Sequence, residues 1–231
     1  MNLTELNSKL NGKSIADSLR IIASTFAGKT VFTTSFSFED QIIAHLIFAN
    51  SIPVEVVTID TGRLFPEIYK VFNETLKKYQ AKIKVLFPDY KDVEVMVSDK
   101  GPYSFYYSRE NRRECCHYRK VVPLNRALEG RECWISGIRA GQSENRGSMQ
   151  SLEYDEERKI YKFYPLFNWT FEEVRSYVKV NNIPYNILHD KGFISIGCEP
   201  CTRAVSDGED FRAGRWWWEK GSEKECGLHI K

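Results

Sequence analysis

Apolar and polar positions alternate along the first half of the chain in two different periods. Residues 14–27 show helical spacing, and Thr30-Val31-Phe32-Thr33-Thr34 is a short β-branched and aromatic run that predicts a strand. A helix over about 39–49 follows, with Ile42, Ile43, Leu46 and Ile47 on one face. Residues 54–59 predict a second strand ending in Asp60-Thr61-Gly62-Arg63, residues 66–79 a further helix, and residues 82–87 a third strand. A fourth strand, Cys133-Trp134-Ile135-Ser136-Gly137, leads into the polar loop 138–143. This order predicts an α/β fold: a mostly parallel sheet with helices on both faces.

The second half changes character. Residues 158–165 read as a solvent-facing strand, and Thr170-Phe171-Glu172-Glu173 is a capping box opening a helix to about Asn181. Beyond Pro184 no period persists, which predicts an irregular C-terminal tail. One main domain is expected over residues 1–215, with a flexible C-terminal segment over 216–231. Parallel sheets of this kind take ligands beyond the carboxyl ends of their strands, where the loops 35–40, 60–63 and 137–146 would gather around a nucleotide-like ligand. The Ser35 loop also opens a helix and could hold a phosphate or sulfate there, although an ordinary serine N-cap is the simpler reading.

With 231 residues, 42% of them hydrophobic, the chain can bury one sizeable core. A formal charge of +2 does not argue for nucleic acid. Two local clusters do ask for a small polyanion: Arg109, Arg112, Arg113, Arg119 and Lys120, then Arg203, Arg212 and Arg215. No apolar run approaches the roughly 18 residues of a membrane span. Residues 1–20 hold polar and charged side chains throughout, with no apolar core and no secretory signature, so a cytoplasmic location with reduced thiols is expected.

That expectation colours the cysteines. Cys115-Cys116 and Cys198-x-x-Cys201 are two tight pairs, a four-sulfur set suited to zinc or to an iron–sulfur cluster. Adjacent side chains on a helix diverge by about 100°. Both members of the first pair can therefore ligate only if the metal unit is wide or the backbone bends, and a four-iron cube tolerates that divergence better than one tetrahedral ion. Cys133 lies in an apolar strand and reads as a small core residue. Cys226, near the end of the chain with His229 close by, reads as a nucleophile whose thiolate Arg212 and Arg215 would favour if the tail folds over the cleft.

Taken together, Cys115-Cys116, Cys198-x-x-Cys201 and Glu225-Cys226-Gly227-Leu228-His229 closely resemble the iron–sulfur form of the assimilatory sulfonucleotide reductases, the adenylyl-sulfate (APS) reductase family. The resemblance runs from about Ser35 to His229. It includes Ser35-Phe36-Ser37-Phe38-Glu39-Asp40, Asp60-Thr61-Gly62-Arg63, the Arg139 to Arg146 loop and Arg212-Ala213-Gly214-Arg215-Trp216. It implies an adenine nucleotide α-hydrolase-like fold, a [4Fe–4S] cluster on Cys115, Cys116, Cys198 and Cys201, and reduction of APS to sulfite and AMP. Cys226 would attack the sulfate sulfur and hold it as a thiosulfonate, and Lys120 would link cluster and substrate electrostatically. Arg139, Arg146, Arg212, Arg215 and His229 would line the phosphosulfate site, while Ser35, Phe36, Ser37, Asp60 and Arg63 hold the nucleotide. The implied reductant is thioredoxin or glutaredoxin, because no second redox Cys-x-x-Cys is visible. The 3′-phosphorylated nucleotide, PAPS, is the alternative substrate.

Two other classes share parts of this pattern. An ATP pyrophosphatase uses the same sheet, but with a glycine-rich loop where this chain has Phe36 and Phe38. A zinc-bound nucleic-acid module could use the arginines and Trp216-Trp217-Trp218, against which the near-neutral charge counts. The tryptophans read instead as packing residues, at a subunit contact if the chain forms a homo-oligomer.

Overall fold

The computed structural model describes residues 2–142, 146 and 149–219. In chain order its elements are α1 (Leu3–Leu10), α2 (Ile15–Thr25), β1 (Thr30–Thr34), α3 (Phe38–Ala49), β2 (Glu55–Ile59), α4 (Pro66–Tyr79) and β3 (Lys84–Leu86). There follow α5 (Tyr90–Lys100), α6 (Arg109–Cys116), one π-helical turn (His117–Val121), α7 (Val122–Leu128), β4 (Cys133–Ile135), β5 (Leu152–Asp155), β6 (Ile160–Phe163) and α8 (Phe171–Val180). The six strands form one sheet in the order β3-β2-β1-β4-β6-β5. The chain divides into two compact units. The first comprises Met1–Thr58, Glu67–Lys84 and Gly130–Ile187, the second Ile59–Pro66, Val85–Glu129 and Leu188–Lys231.

In the first unit β1 runs parallel to both β2 and β4, with Val31 opposite Glu55 and Phe32 opposite Ile135. These strands are apolar on both sides because both sides are covered: Val31, Phe32, Val56, Val57, Trp134 and Ile135 are all buried. The Ile42, Ile43, Leu46, Ile47 face of α3 is buried as its spacing predicts. The capping box at Thr170 and Glu173 is present and starts α8.

One strand differs from the sequence reading. The predicted solvent-facing strand at 158–165 is β6, which lies inside the sheet, parallel to β4 and antiparallel to β5. A lysine at a strand centre, Lys162, would ordinarily face water. Here its ammonium is buried, 2.5 Å from the Asp155 carboxylate and 5.8 Å above the Trp134 ring. Burial alone would raise the Asp155 pKa. Hydrogen bonds from Lys162 and from the Arg158 backbone outweigh it and hold the carboxyl at about 2.

The second unit packs α5, α6, the π turn and α7 with the irregular segment after Leu188. Its core joins Met96, Phe105 and Trp216 to Cys115, Cys198 and Cys201. Trp216 is buried, so the packed chain runs past the boundary at 215 and continues through Glu219. Cys226 and His229 lie outside the described residues. No described helix is long and apolar enough to cross a membrane.

Candidate functional site

Two strand ends in the first unit carry polar loops. After β1, the Ser35 backbone N–H and hydroxyl both donate to Asp40, at 2.6 and 2.7 Å. Ser37 caps α3, its oxygen accepting from the Asp40 N–H at 3.3 Å, so the ordinary N-cap reading holds for this residue. Phe36 has φ 60°, a left-handed conformation costly for a bulky residue, and its ring is buried against Phe72 at 5.0 Å. Asp40 is fully enclosed, and burial pushes its carboxyl up to about 6 against the opposing Ser35 hydrogen bonds.

The neighbouring loop after β4 closes onto the same helix start. A Cβ at Gly137 would stand 2.4 Å from Asp40 Oδ1, so only glycine lets the two loops approach this closely. Arg139 is buried; its Nε donates to Glu39 at 2.7 Å and its Nη1 to the Trp169 carbonyl at 3.2 Å. Gln142 bridges the loop by donating to Glu39 at 3.0 Å while receiving from Arg146. Ser35, Phe36, Ser37, Arg139 and Arg146 thus share one unit, with Glu39 as the anion that organises the arginine. The sequence reading did not single out Glu39, although it lies within the motif quoted there.

The second unit gathers all four paired cysteines. Cys115, Cys116, Cys198 and Cys201 line one pocket with Arg63, Arg112, Arg119, Lys120, Phe105 and Trp216. All four are buried free thiols. The backbone bends where adjacent cysteines require it: α6 ends at Cys116, the His117 N–H is shared between Arg113 and Glu114 carbonyls, and the π turn follows at once. That wider turn carries Arg119 and Lys120 and lets both sulfurs and Lys120 line the same pocket.

The second cysteine pair sits on a short 3₁₀ turn, Glu199–Cys201. Cys201 N–H donates to the Cys198 carbonyl at 3.0 Å and the Thr202 hydroxyl to the same carbonyl at 2.9 Å. The Thr61 hydroxyl lies 3.2 Å from Cys198 Sγ, and Arg119 Nη1 donates to the Thr61 carbonyl at 2.7 Å. Asp60 turns the same loop by accepting from the Gly62 N–H at 2.8 Å. Arg63, expected at a nucleotide, lines the cysteine pocket, donates to the Pro102 carbonyl and lies 5.2 Å from the Phe105 ring centre.

Arg212 and Arg215 flank the Trp216 ring at 5.9 and 4.8 Å. A Cβ at Gly197 would meet Arg215 Nη2 at 2.3 Å, so glycine is the residue that admits this guanidinium. Burial pushes the Cys201 thiol up to about 12 and raises Cys115 as well, against Lys120, Arg119 and Arg215 nearby. Among the described residues no group of three or more His, Cys, Asp or Glu side chains is arranged to hold a metal ion.

The mostly parallel six-stranded sheet with polar loops at the ends of β1 and β4 is a fold similar to that of Candida glabrata FMN adenylyltransferase (TM-score 0.55, 15% identity, covering 99% of this chain and 82% of that one). More specifically, the chain belongs to the phosphoadenosine phosphosulfate reductase domain family, whose model matches residues 29–204. It is 45% identical to an adenosine 5′-phosphosulfate reductase of Agrobacterium fabrum over 97% of this chain and 86% of that protein. A Neisseria meningitidis protein of the same name is 45% identical over 86% of this chain and 81% of its own length. The crystal structure of a Candida auris phosphoadenylyl-sulfate (PAPS) reductase in a phosphate complex matches with TM-score 0.74 and 26% identity, covering 89% of this chain and 98% of that one.

Proposed function

We propose that this protein reduces adenosine 5′-phosphosulfate to sulfite and AMP for sulfate assimilation, with Cys226 as nucleophile and a [4Fe–4S] cluster on Cys115, Cys116, Cys198 and Cys201. One observation carries the reading: four buried thiols share a cation-lined pocket in a chain 45% identical, along nearly its whole length, to proteins named for this reaction. The donor set fits such a cluster. Buried thiols of raised pKa stay protonated at neutral pH unless a metal charge replaces the proton. When bound, that cluster supplies a fixed centre of charge beside Lys120 and the arginines.

The covalent steps belong to the thiol. The Cys226 thiolate attacks the sulfate sulfur, an S–S bond forms, the bond from sulfur to the phosphate oxygen breaks, and AMP leaves with the electron pair. A thiolate of the reductant, thioredoxin or glutaredoxin, then attacks Cys226 Sγ and expels sulfite. Its second thiol closes a disulfide and frees Cys226, so two thiols supply the two electrons. Charge develops on the leaving phosphate, which is where arginine forks lower the barrier. Arg212, Arg215 and His229 are assigned to the phosphosulfate in the second unit, with Asp60 and Arg63 on the nucleotide and Lys120 beside the cysteines. In the first unit Ser35, Phe36 and Ser37 are assigned to the nucleotide, and Arg139 and Arg146 to its phosphosulfate.

Incubation of the purified protein with APS and peptide mass spectrometry tests the proposal. An SO₃ adduct on the Cys226 peptide, discharged as sulfite by thioredoxin, is expected; sulfite release with Cys226 never modified overturns it. A second reading, PAPS as substrate, is favoured by the Candida auris match. Comparing kcat/KM on the two nucleotides decides between them.

A further inference from the structure

Within the second unit the turn Cys198-Glu199-Pro200-Cys201 is held from three sides. Glu199 N–H donates to the Arg63 carbonyl at 2.9 Å, and Trp216 N–H donates to the Cys201 carbonyl at 3.1 Å. The third hold is a side chain: the Tyr106 hydroxyl donates to the Pro200 carbonyl at 2.6 Å. Backbone contacts survive most substitutions, whereas this one depends on a single residue. Tyr106 ends a short 3₁₀ turn, Ser104–Tyr106, just before α6. Its bond therefore ties the segment leading into the first cysteine pair to the second pair, across 94 positions of sequence.

The same turn supplies an aromatic cover. Phe105 is 1% exposed and packs into one core with Cys115, Cys198, Cys201 and Trp216, against which Trp218 also packs. The Tyr106 ring centre lies 4.5 Å from that of Phe105, 4.4 Å from that of Trp218 and 6.2 Å from that of Tyr103. Tyr106 is 36% exposed, so its ring meets water on the outside of the cover while its hydroxyl reaches the turn beneath. A phenol suits this place because the ring covers apolar surface and its one polar atom still finds a partner. The Pro200 carbonyl is satisfied without a water molecule entering beside the sulfurs.

We propose that Tyr106 is a positioning residue for the metal ligands: its hydroxyl, held on the Pro200 carbonyl, latches the aromatic cover over the four thiols and sets how fast metal leaves the pocket. The inference rests on the reading of these thiols as iron–sulfur ligands. Losing one hydrogen bond raises the locally opened fraction of the turn without unfolding the chain.

The test follows anaerobic release of iron from the metal-loaded protein into bathophenanthroline disulfonate, an iron(II) chelator, in urea below the unfolding transition. Decay of the visible absorbance and the urea midpoint by circular dichroism are read on the same samples. Tyr106→Phe, which removes only the hydroxyl, should release iron roughly 3- to 10-fold faster than the parent at an unchanged midpoint. Tyr107→Phe, at a neighbouring tyrosine that is 76% exposed, should release it at the parental rate. Parental release from Tyr106→Phe overturns the inference, as does equal acceleration by Tyr107→Phe or acceleration accompanied by a lowered midpoint, which marks a general loss of stability. A Tyr106→Phe protein that folds with the parental midpoint but purifies with less iron per chain supports it. A parent without iron or a visible band removes the cluster reading itself, and the inference with it.

Discussion

Asp40 shows how one side chain joins two loops. Its carboxylate receives Ser35 and lies against Gly137, and burial lifts its pKa to about 6 from the ordinary 3.8. The folded state therefore binds a proton that the unfolded state releases as pH rises between these values. Stability should fall through that window by on the order of 3 kcal/mol and then level off. In urea melts, Asp40→Asn should remove this slope, leaving a variant that gains on the parent between pH 4 and 6 and by a constant amount above 7. The cysteines divide at the same scale. Cys226→Ser should keep the visible absorbance of the protein and lose sulfite production, whereas Cys198→Ser should lose both; a colourless Cys226→Ser protein would contradict the division. The types and pairing of these residues were legible in the sequence. The partners of the arginines were not: Glu39 for Arg139 and Glu219 for Arg112 lie 100 and 107 positions away.

Among the elements, helices with strong local signals formed where their caps predicted. Thr170 accepts from the Glu173 N–H at 3.2 Å while the Glu173 carboxylate accepts from Thr170 N–H at 2.7 Å. Thr170→Ala should lower unfolding free energy by about 1 kcal/mol, measured by chemical denaturation, without altering turnover. The π turn at His117–Val121 had no such signature, because its local sequence also suits an α-helix. Its geometry makes sense only beside the pocket, where Cys115, Cys116 and Lys120 are lining residues. β5 and the interior placement of β6 were equally hidden, since Lys162 and Asp155 look like surface residues until each is seen to neutralise the other.

At the scale of the whole molecule, that neutralised pair ties β5, at one edge of the sheet, to the interior strand β6. Lys162→Met leaves the Asp155 carboxylate facing the Arg158 guanidinium at 3.3 Å and should destabilise by about 3 kcal/mol at neutral pH. Because the folded carboxyl is held at about 2, its contribution is complete above 3.8 and is lost as pH falls through that interval. Acid titration of stability should therefore be steeper between pH 4 and 2 in the parent than in Lys162→Met. By itself, the order of residues determined the alternation of strands and helices, the parallel sheet, and the split of sulfur into two pairs, one core cysteine and one terminal cysteine. These features follow from periodicity and spacing, which are local. Tertiary structure alone decided which charges are buried together, which backbone turns bend away from the α-helix, and which side chains, Arg63 among them, line the pocket of the paired cysteines. Burial free energy depends on partners brought from distant positions, and no stretch of sequence carries its own partner.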